Sequence, residues 1–249
     1  MQKNVISTIA LVVALVAVIA AGVMVFGSSM GLWDPITGFI ASRKYHNVLG
    51  YMVVALALMS LVSGMMMKTD NPKTRGTAKS VVALLLGIAM LSPMLKGLII
   101  EPVKYPPIHD ITTDTQSPPQ FEFLTDSRIG AKNTLVYGGA DIAAQQLQAY
   151  PDIQPIQSNL PAEAAFAKAL DAAKAMDWVI VDQQPKTLRF EATARTPFFN
   201  FADDIVVVVT RIEQGSRIDL RSVSRIGIGD AGVNAKRIQE FSERFAESL

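Results

Sequence analysis

The sequence predicts a mixed α+β protein in which three transmembrane helices precede a C-terminal antiparallel four-stranded sheet with two helices. Three observations support this class. Half of the 249 residues are hydrophobic, which is more than a soluble chain of this length usually carries. Three N-terminal stretches are nearly free of charge, and several later segments alternate apolar and polar residues, as half-buried strands do.

The uncharged stretches at residues 5–26, 48–67 and 81–100 are each long enough to span the bilayer, since a helix crosses its hydrocarbon layer in about 20 residues. Lys3 and the nearby alanines would also fit a cleaved signal peptide. We favour an uncleaved helix, because the apolar stretch exceeds the roughly 7–15 residues usual in such peptides. Between the first two spans, Met30 to His46 carries aromatic residues suited to the lipid headgroup layer. Residues 1–104 are therefore predicted to form a membrane region.

The basic residues near the spans predict the orientation. One side carries Lys3, Lys68, Lys73, Arg75 and Lys79, whereas the opposite loop carries Arg43 and Lys44. Because the more basic loops stay in the cytoplasm, the N-terminus is predicted there and the C-terminal domain on the outer side. In a Gram-negative bacterium this describes a multi-pass inner-membrane protein with a periplasmic domain, whether or not the first span is cleaved.

Residues 105–249 are predicted to form one soluble domain. Prolines at 106, 107, 118 and 119 favour an extended lead-in over residues 105–121. Helices are predicted at 161–176 and 233–248, and strands at 178–182, 187–196, 204–213 and 217–225. The short connections between the strands predict an antiparallel meander. In the second strand Leu188, Phe190, Ala192 and Ala194 share an apolar face, which we expect the helices to cover, and the opposite face carries charge.

Composition narrows the function classes. A net charge of +1 provides no basic field for nucleic acid. The absence of cysteine excludes disulfides, thiolate metal sites and a cysteine nucleophile. The two histidines, His46 and His109, do not stand in a metal-ligand pattern, so neither a metal nor a cofactor is predicted. His109, Asp110 and Asp114 form only a weak lead for a ligand or base, and no nucleophile elbow, Walker loop or dinucleotide fingerprint is present.

Polar residues concentrate near the predicted strand ends, and they are the candidate ligand-binding residues. They are Glu191, Arg195, Asp203, Asp204, Arg221, Ser224, Arg225, Asn234 and Arg237, together with His109 and Asp110. In one interpretation the guanidinium groups bind an anionic small molecule or lipid. In the other, which we favour, cross-strand and capping pairs stabilise the fold. Asp230 is predicted to cap the last helix.

Several segments of the C-terminal half resemble the bacterial family known as domain of unknown function 1499, whose members often carry membrane helices before the domain. They are PIHDITTD at 107–114, PPQF at 118–121, YPDI at 150–153, EATART at 191–196, FADD at 201–204, DLRSVSR at 219–225 and NAKRI at 234–238. The resemblance extends over about residues 105–249, and GLWD at 31–34 resembles the family's membrane portion. It implies a domain and a membrane setting, and it transfers no catalytic residue.

Three functional hypotheses follow. The favoured one is a non-enzymatic envelope protein whose outer domain binds a ligand, lipid or protein through its arginine-containing face. The second is a hydrolase or transferase acting on an envelope substrate, with Asp203 or Asp204 and His109 as acid and base. The third is a structural subunit whose spans pack against a membrane protein partner through small residues, namely Gly50, Ser60, Ser63 and Gly64.

Overall fold

The computed structural model describes residues 4–67 and 71–247. Outside these residues lie Lys3 and Lys68, on which the predicted orientation partly depends, and Ser248, the predicted end of the last helix. The chain forms two compact units, of which the first contains residues 1–103 and the second contains Lys104–Pro197 and Phe201–Leu249.

The first unit is helical. Its elements are α1 (Val5–Phe26), α2 (Pro35–Met66), α3 (Pro72–Arg75) and α4 (Thr77–Ile99). The helices α1, α2 and α4 are long and apolar enough to cross a membrane, which confirms the three predicted apolar helices.

Helix α2 begins at Pro35, well before the predicted start of the second span at residue 48. Pro35 occupies the first turn, where its missing N–H costs no hydrogen bond and its fixed φ favours the helix. Most of the aromatic segment predicted for the headgroup layer is thus helical, since no further proline interrupts the chain up to residue 48.

Small residues line the contacts among the three long helices. On α1 the buried positions include Ala10, Ala14, Ala17 and Ala21, which recur every three or four residues and so lie on one face. Gly50, Ser60 and Gly64 of α2 are also buried, and the Ser60 and Ser80 hydroxyl oxygens lie 2.6 Å apart. The small residues that suggested a partner surface therefore contact this chain's own helices, apart from the half-buried Ser63.

The second unit combines a sheet with three helices. In chain order its elements are β1 (Asp110–Thr112), α5 (Gly139–Ala149), β2 (Ile156–Ser158), α6 (Ala162–Ala175), β3 (Val179–Gln184), β4 (Arg189–Arg195), β5 (Ala202–Ile212), β6 (Gly215–Ser224) and α7 (Val233–Glu247).

The sheet is antiparallel in the order β1-β6-β5-β4-β3, and β2 also pairs with β6. The meander of four long strands and the two helices α6 and α7 confirm the predicted α+β class. The structure adds α5 and the short strands β1 and β2. Each of these strands contributes only three residues, and their pairing depends on the distant β6, so local alternation could not predict them.

The hydrophobic core lies between α6, α7 and the apolar face of the sheet. Phe190, Ala192 and Ala194 of β4 lie on this face, as predicted from their alternation. The Trp178 ring stacks on Phe241 of α7 with centroids 5.3 Å apart, and Phe166 of α6 meets Phe190 edge-on at 6.1 Å. The apolar faces of the helices and of the strands thus form one core.

The opposite, charged face of the sheet is also buried. Residues 113–137, here called the cover segment, contain no helix or strand and hydrogen-bond to this face. Glu191 is fully buried, and Arg189 and Thr193 are each 7% exposed. Because ions in a protein interior require compensation, the partners of these residues decide what the face can do.

Candidate functional site

The structure divides the predicted site residues between the two faces of the sheet. Successive residues of a strand point to opposite faces, so the adjacent Asp203 and Asp204 point apart. Towards the cover segment lie Asp110, Glu191, Asp204, Arg221 and Arg225, and towards the helices lie Asp203, Ser224, Asn234 and Arg237. Arg195 is an exposed residue at the end of β4. The candidates therefore form two separate clusters.

Asp204 is the centre of the cluster beneath the cover segment. Its side chain is fully buried, and it accepts hydrogen bonds from Arg128 Nε at 2.6 Å, Arg225 Nη2 at 2.8 Å and the Thr193 hydroxyl at 2.9 Å. Arg225 also donates to the Ile129 carbonyl at 2.8 Å, and Arg128 donates to a carbonyl of the cover segment. Two guanidinium groups thus share one carboxylate, and both tie the cover segment to the sheet.

Arg221 is a second attachment point. Its fully buried guanidinium forms a bidentate pair with Asp110, at 2.9 and 2.7 Å, and donates to the carbonyls of Pro119 and Leu135. It also lies 5.6 Å from the centroid of the Phe121 ring and 5.3 Å from that of Tyr137. Its donors therefore bind groups of this chain, and its faces contact aromatic rings of the cover segment.

Glu191 provides the third attachment. Its carboxylate accepts hydrogen bonds from three consecutive backbone N–H groups of the cover segment, those of Glu122, Phe123 and Leu124, the last two at 3.0 and 2.7 Å. Successive N–H groups that converge in this way form an anion-binding concavity. Here the protein's own carboxylate occupies it. Arg189, beside Glu191, binds Glu122 and the Gln120 carbonyl.

The cluster on the helix face connects α7 to the sheet. Arg237 Nη2 donates to Asp203 at 2.6 Å, and its Nη1 donates to the Ser222 hydroxyl at 3.1 Å. The amide of Asn234 donates to the Ser224 hydroxyl at 2.9 Å and to the His109 carbonyl at 3.0 Å. These buried groups are matched donor to acceptor, as a stable interior requires.

Asp230 caps α7, as its position before the helix predicted. Its carboxylate accepts hydrogen bonds from the backbone N–H of Gly232 at 2.9 Å and of Asn234 at 2.7 Å. Burial raises the pKa of the Asp230 carboxyl, and the nearby Asp203 charge acts in the same direction, while the N–H donors oppose the rise.

His109 does not join either aspartate. Its Nδ1 lies 3.1 Å from the Ile228 carbonyl, and no hydrogen bond between the described residues connects its ring to Asp203 or Asp204. Asp203 and Asp204 themselves face opposite sides of β5. The acid and base pairing required by the hydrolase or transferase hypothesis is therefore not assembled in this structure.

At the start of the cover segment, Asp114 accepts hydrogen bonds from the Ser117 and Gln116 backbones and pairs with Arg217 at 2.6 Å. The Ser117 N–H is the main cause that lowers the pKa of the Asp114 carboxyl, and Arg217 adds to the effect. Within residues 4–67 and 71–247 no group of three or more acidic or histidine side chains is arranged to hold a metal ion.

Several partners in these clusters escaped the sequence analysis. They are Arg128, Asn133, Phe121, Tyr137, Thr193 and Ser222. Four of them belong to the cover segment, which lacks the periodicity that marks helices and strands.

Open concavities lie elsewhere. In the first unit, an apolar groove of about 510 Å³ is lined by residues of α1, of α2 and of the segment between them, among them Val16, Val23, Trp33 and Leu49. In the second unit, a depression of about 500 Å³ lies beside Lys168, whose Nζ sits 4.7 Å from the centroid of the Phe245 ring. Neither contains a predicted site residue.

A family model described as "Protein of unknown function (DUF1499)" matches residues 110–245, which is more than half of the chain. The chain belongs to this family. The match begins at β1 and ends within α7, so it includes the cover segment and both charged clusters. Among curated proteins, none matches this sequence significantly. Membership of DUF1499 therefore identifies the domain and assigns no activity.

Proposed function

We propose that this chain is a multi-pass protein of the bacterial inner membrane whose DUF1499 domain lies in the periplasm and acts as a non-enzymatic binding module of the envelope. One observation carries the proposal. The ionisable residues beneath the cover segment are bound to one another and to backbone groups of that segment. They stabilise a rigid scaffold, so a ligand, lipid or protein is expected to bind the outer surface of the domain.

The anchoring part of the proposal depends on the three apolar helices, and the sidedness depends on charge. Among the described residues, Lys73, Arg75 and Lys79 lie between α2 and the apolar part of α4. Arg43 and Lys44 lie in the N-terminal third of α2. This bias favours a cytoplasmic position for the segment before α4. An odd number of spans then brings the DUF1499 domain to the opposite side.

Among the predicted binding residues, we place an anionic ligand only at the arginine whose guanidinium group is exposed. Arg195 lies at the end of β4 and is exposed. Arg221 and Arg237 are buried, in ion pairs with Asp110 and Asp203. A ligand that reached Arg221 would have to displace Asp110 and lift the cover segment. Breaking such a buried pair would cost about 3–5 kcal/mol.

Untargeted mass spectrometry of the full chain, purified in mild detergent, tests the binding function. We expect an amphipathic or anionic molecule of the envelope to be retained, and to remain chemically unchanged when the protein is incubated with envelope extract. Conversion of a retained molecule into a product would contradict the non-enzymatic assignment. Retention of none, from the full chain in nanodiscs as well, would contradict binding of a small molecule or lipid.

A further inference from the structure

Two loops of the DUF1499 domain are joined into one surface at the edge where the chain enters the sheet. Strand β1 begins at Asp110, which pairs with Val223 near the end of β6. The loop that follows β6, residues 225–230, therefore lies beside the residues that lead into β1. Asp230 N–H donates to the Ile108 carbonyl at 3.2 Å, and the His109 ring contacts the Ile228 carbonyl.

Residues 128–133 of the cover segment form the second loop. The N–H groups of Lys132 and Asn133 both donate to the Arg225 carbonyl, at 2.7 and 2.9 Å, and Asn133 Nδ2 donates to the Gly227 carbonyl at 2.9 Å. Arg225 returns a bond to the Ile129 carbonyl at 2.8 Å. These paired loops, residues 128–133 and 225–230, are thus fixed to one another by backbone and side-chain hydrogen bonds.

Each of the paired loops carries an isoleucine that is almost completely exposed. Ile129 is 90% exposed and Ile228 is 81% exposed. These values match those of apolar residues on the predicted spans, such as Ile99 at 85% and Met66 at 79%. Single exposed apolar residues are common on soluble proteins. Two large ones on adjoining, mutually bonded loops are more typical of a surface that meets an apolar partner.

The short connection between α4 and the domain indicates which partner the paired loops can reach. Helix α4 ends at Ile99, and by Ile108 the chain is already hydrogen-bonded to the loop of residues 225–230. Nine extended residues reach at most about 30 Å. If α4 spans the bilayer, this tether keeps the paired loops near its surface at high effective concentration, so that a weak contact is enough to hold them there.

The charges around the two isoleucines suit a lipid headgroup layer. Lys132 is exposed in the loop of residues 128–133, three residues after Ile129, and the exposed Lys104 lies in the tether. Arg128 and Arg225 are engaged with Asp204. The Asp126 carboxylate accepts hydrogen bonds from the Leu135 N–H and the Thr134 hydroxyl, and it remains a 58% exposed negative charge beside this surface. Exposed lysine beside protruding apolar side chains is the combination that binds anionic lipid surfaces.

We propose that the paired loops dock the DUF1499 domain onto the bilayer, with Ile129 and Ile228 inserted at the boundary between headgroups and acyl chains. The proposal rests on the membrane anchoring in the proposed function and is independent of which side the domain occupies. It predicts that the domain is held close to the membrane by two attachments, the tether and the paired loops.

The absence of cysteine from the chain permits a direct test. Ile129→Cys and Ile228→Cys are labelled one at a time with an environment-sensitive fluorophore. Val179→Cys is the matched control, because Val179 is an apolar residue 61% exposed on the edge strand β3. The full chain is placed in nanodiscs of phosphatidylcholine and phosphatidylglycerol, with and without acyl chains that carry a nitroxide quencher.

We expect a blue-shifted emission and a loss of intensity with the quencher at positions 129 and 228, and neither change at 179. Water-like emission without quenching at 129 or 228, in protein that has entered nanodiscs, would overturn the docking while leaving the anchoring intact. Equal quenching at all three positions would overturn it too. Failure of the parent chain to enter nanodiscs would overturn the anchoring and the docking together.

Discussion

At the scale of single residues, Asp204 is the position where most of the buried charge converges. Its carboxylate is the common partner of Arg128 and Arg225, and all three side chains are largely shielded from water. Buried ion pairs need not add net stability compared with apolar residues. Removal of one partner, however, leaves the other charges without compensation, and that makes the cluster testable.

We predict that Asp204→Asn lowers the free energy of unfolding of the domain by about 3–5 kcal/mol, because two buried guanidinium groups lose their counter-charge. The measurement is hydrogen exchange of β5 in the full chain in detergent, as a function of urea. Glu163→Gln is the control, since its pair with Arg211 has both side chains 63% exposed and should leave the exchange unchanged. Equal effects of the two substitutions would contradict the role of Asp204.

We predict that the contributions of Asp114 and Asp230 to the stability of the fold depend on pH in opposite directions. The pKa of Asp114 is lowered in the fold, mainly by the Ser117 N–H. The ionised carboxylate therefore stabilises the fold above the unfolded pKa of about 4, and this stabilisation is lost as the pH falls through the lowered pKa. The pKa of Asp230 is raised by burial, so the fold loses stability as the pH rises from that unfolded value through the raised one.

The stability of the parent relative to Asp114→Asn should therefore be larger at pH 7 than at pH 3. Relative to Asp230→Asn, it should be larger at pH 3 than at pH 7. Asparagine is itself a good helix cap, so the second variant changes mainly the charge. The same exchange experiment at both pH values compares the two, and shifts of the same sign would refute the assigned causes.

At the scale of elements, the charged residues of the sheet hold the cover segment in place. It has no regular secondary structure, and it reaches the sheet through Arg221, Glu191 and Asp204. Long segments without helix or strand are held in place only where their polar groups find partners. Three separate attachments provide these partners here.

Arg221→Lys tests the attachment without removing the positive charge. Lysine cannot reproduce the bidentate bond to Asp110 together with the bonds to Pro119 and Leu135. We expect faster hydrogen exchange across residues 119–137, with α6 little changed. Arg211→Lys, at an exposed pair, is the control. Unchanged exchange in the cover segment would show that Arg221 does not hold it.

In the helical unit, the two glycines of α4 provide a matched pair for the close packing of the bundle. A methyl group at Gly87 would lie 2.8 Å from Val54 Cγ2 and 3.0 Å from the Val54 backbone nitrogen, whereas at Gly97 nothing lies within 4 Å. We predict that Gly87→Ala destabilises the bundle by about 1–3 kcal/mol, and that Gly97→Ala is neutral or stabilising. Thermal unfolding in detergent compares them, and an equal response would contradict the assigned helix contact.

At the scale of the whole molecule, the elements with strong periodicity could be predicted from the sequence. The three apolar helices, the four long strands and helices α6 and α7 each carry a pattern over at least six residues. Strands β1 and β2 could not be predicted, because each exists only through pairing with β6.

The candidate site was predicted only as a set of residue types. Sequence alternation separates Asp203 from Asp204, yet it could not show that Arg128, 76 residues earlier in the chain, would meet Asp204. Such long-range pairs depend on the path of the cover segment, which no local pattern specifies. Asp204, Arg221 and Arg237 form ion pairs with other residues of this chain, and ligand binding by the candidate residues stays a prediction.

We propose that three spans hold the DUF1499 domain on the outer side of the membrane. Two single-cysteine variants of the cysteine-free chain test it in intact spheroplasts with a membrane-impermeant maleimide. Lys186→Cys lies in the exposed β3–β4 turn and Lys73→Cys lies between α2 and α4. We expect position 186 to react in intact spheroplasts and position 73 to react only after lysis. Labelling of position 73 in intact cells, with position 186 protected until lysis, would contradict it.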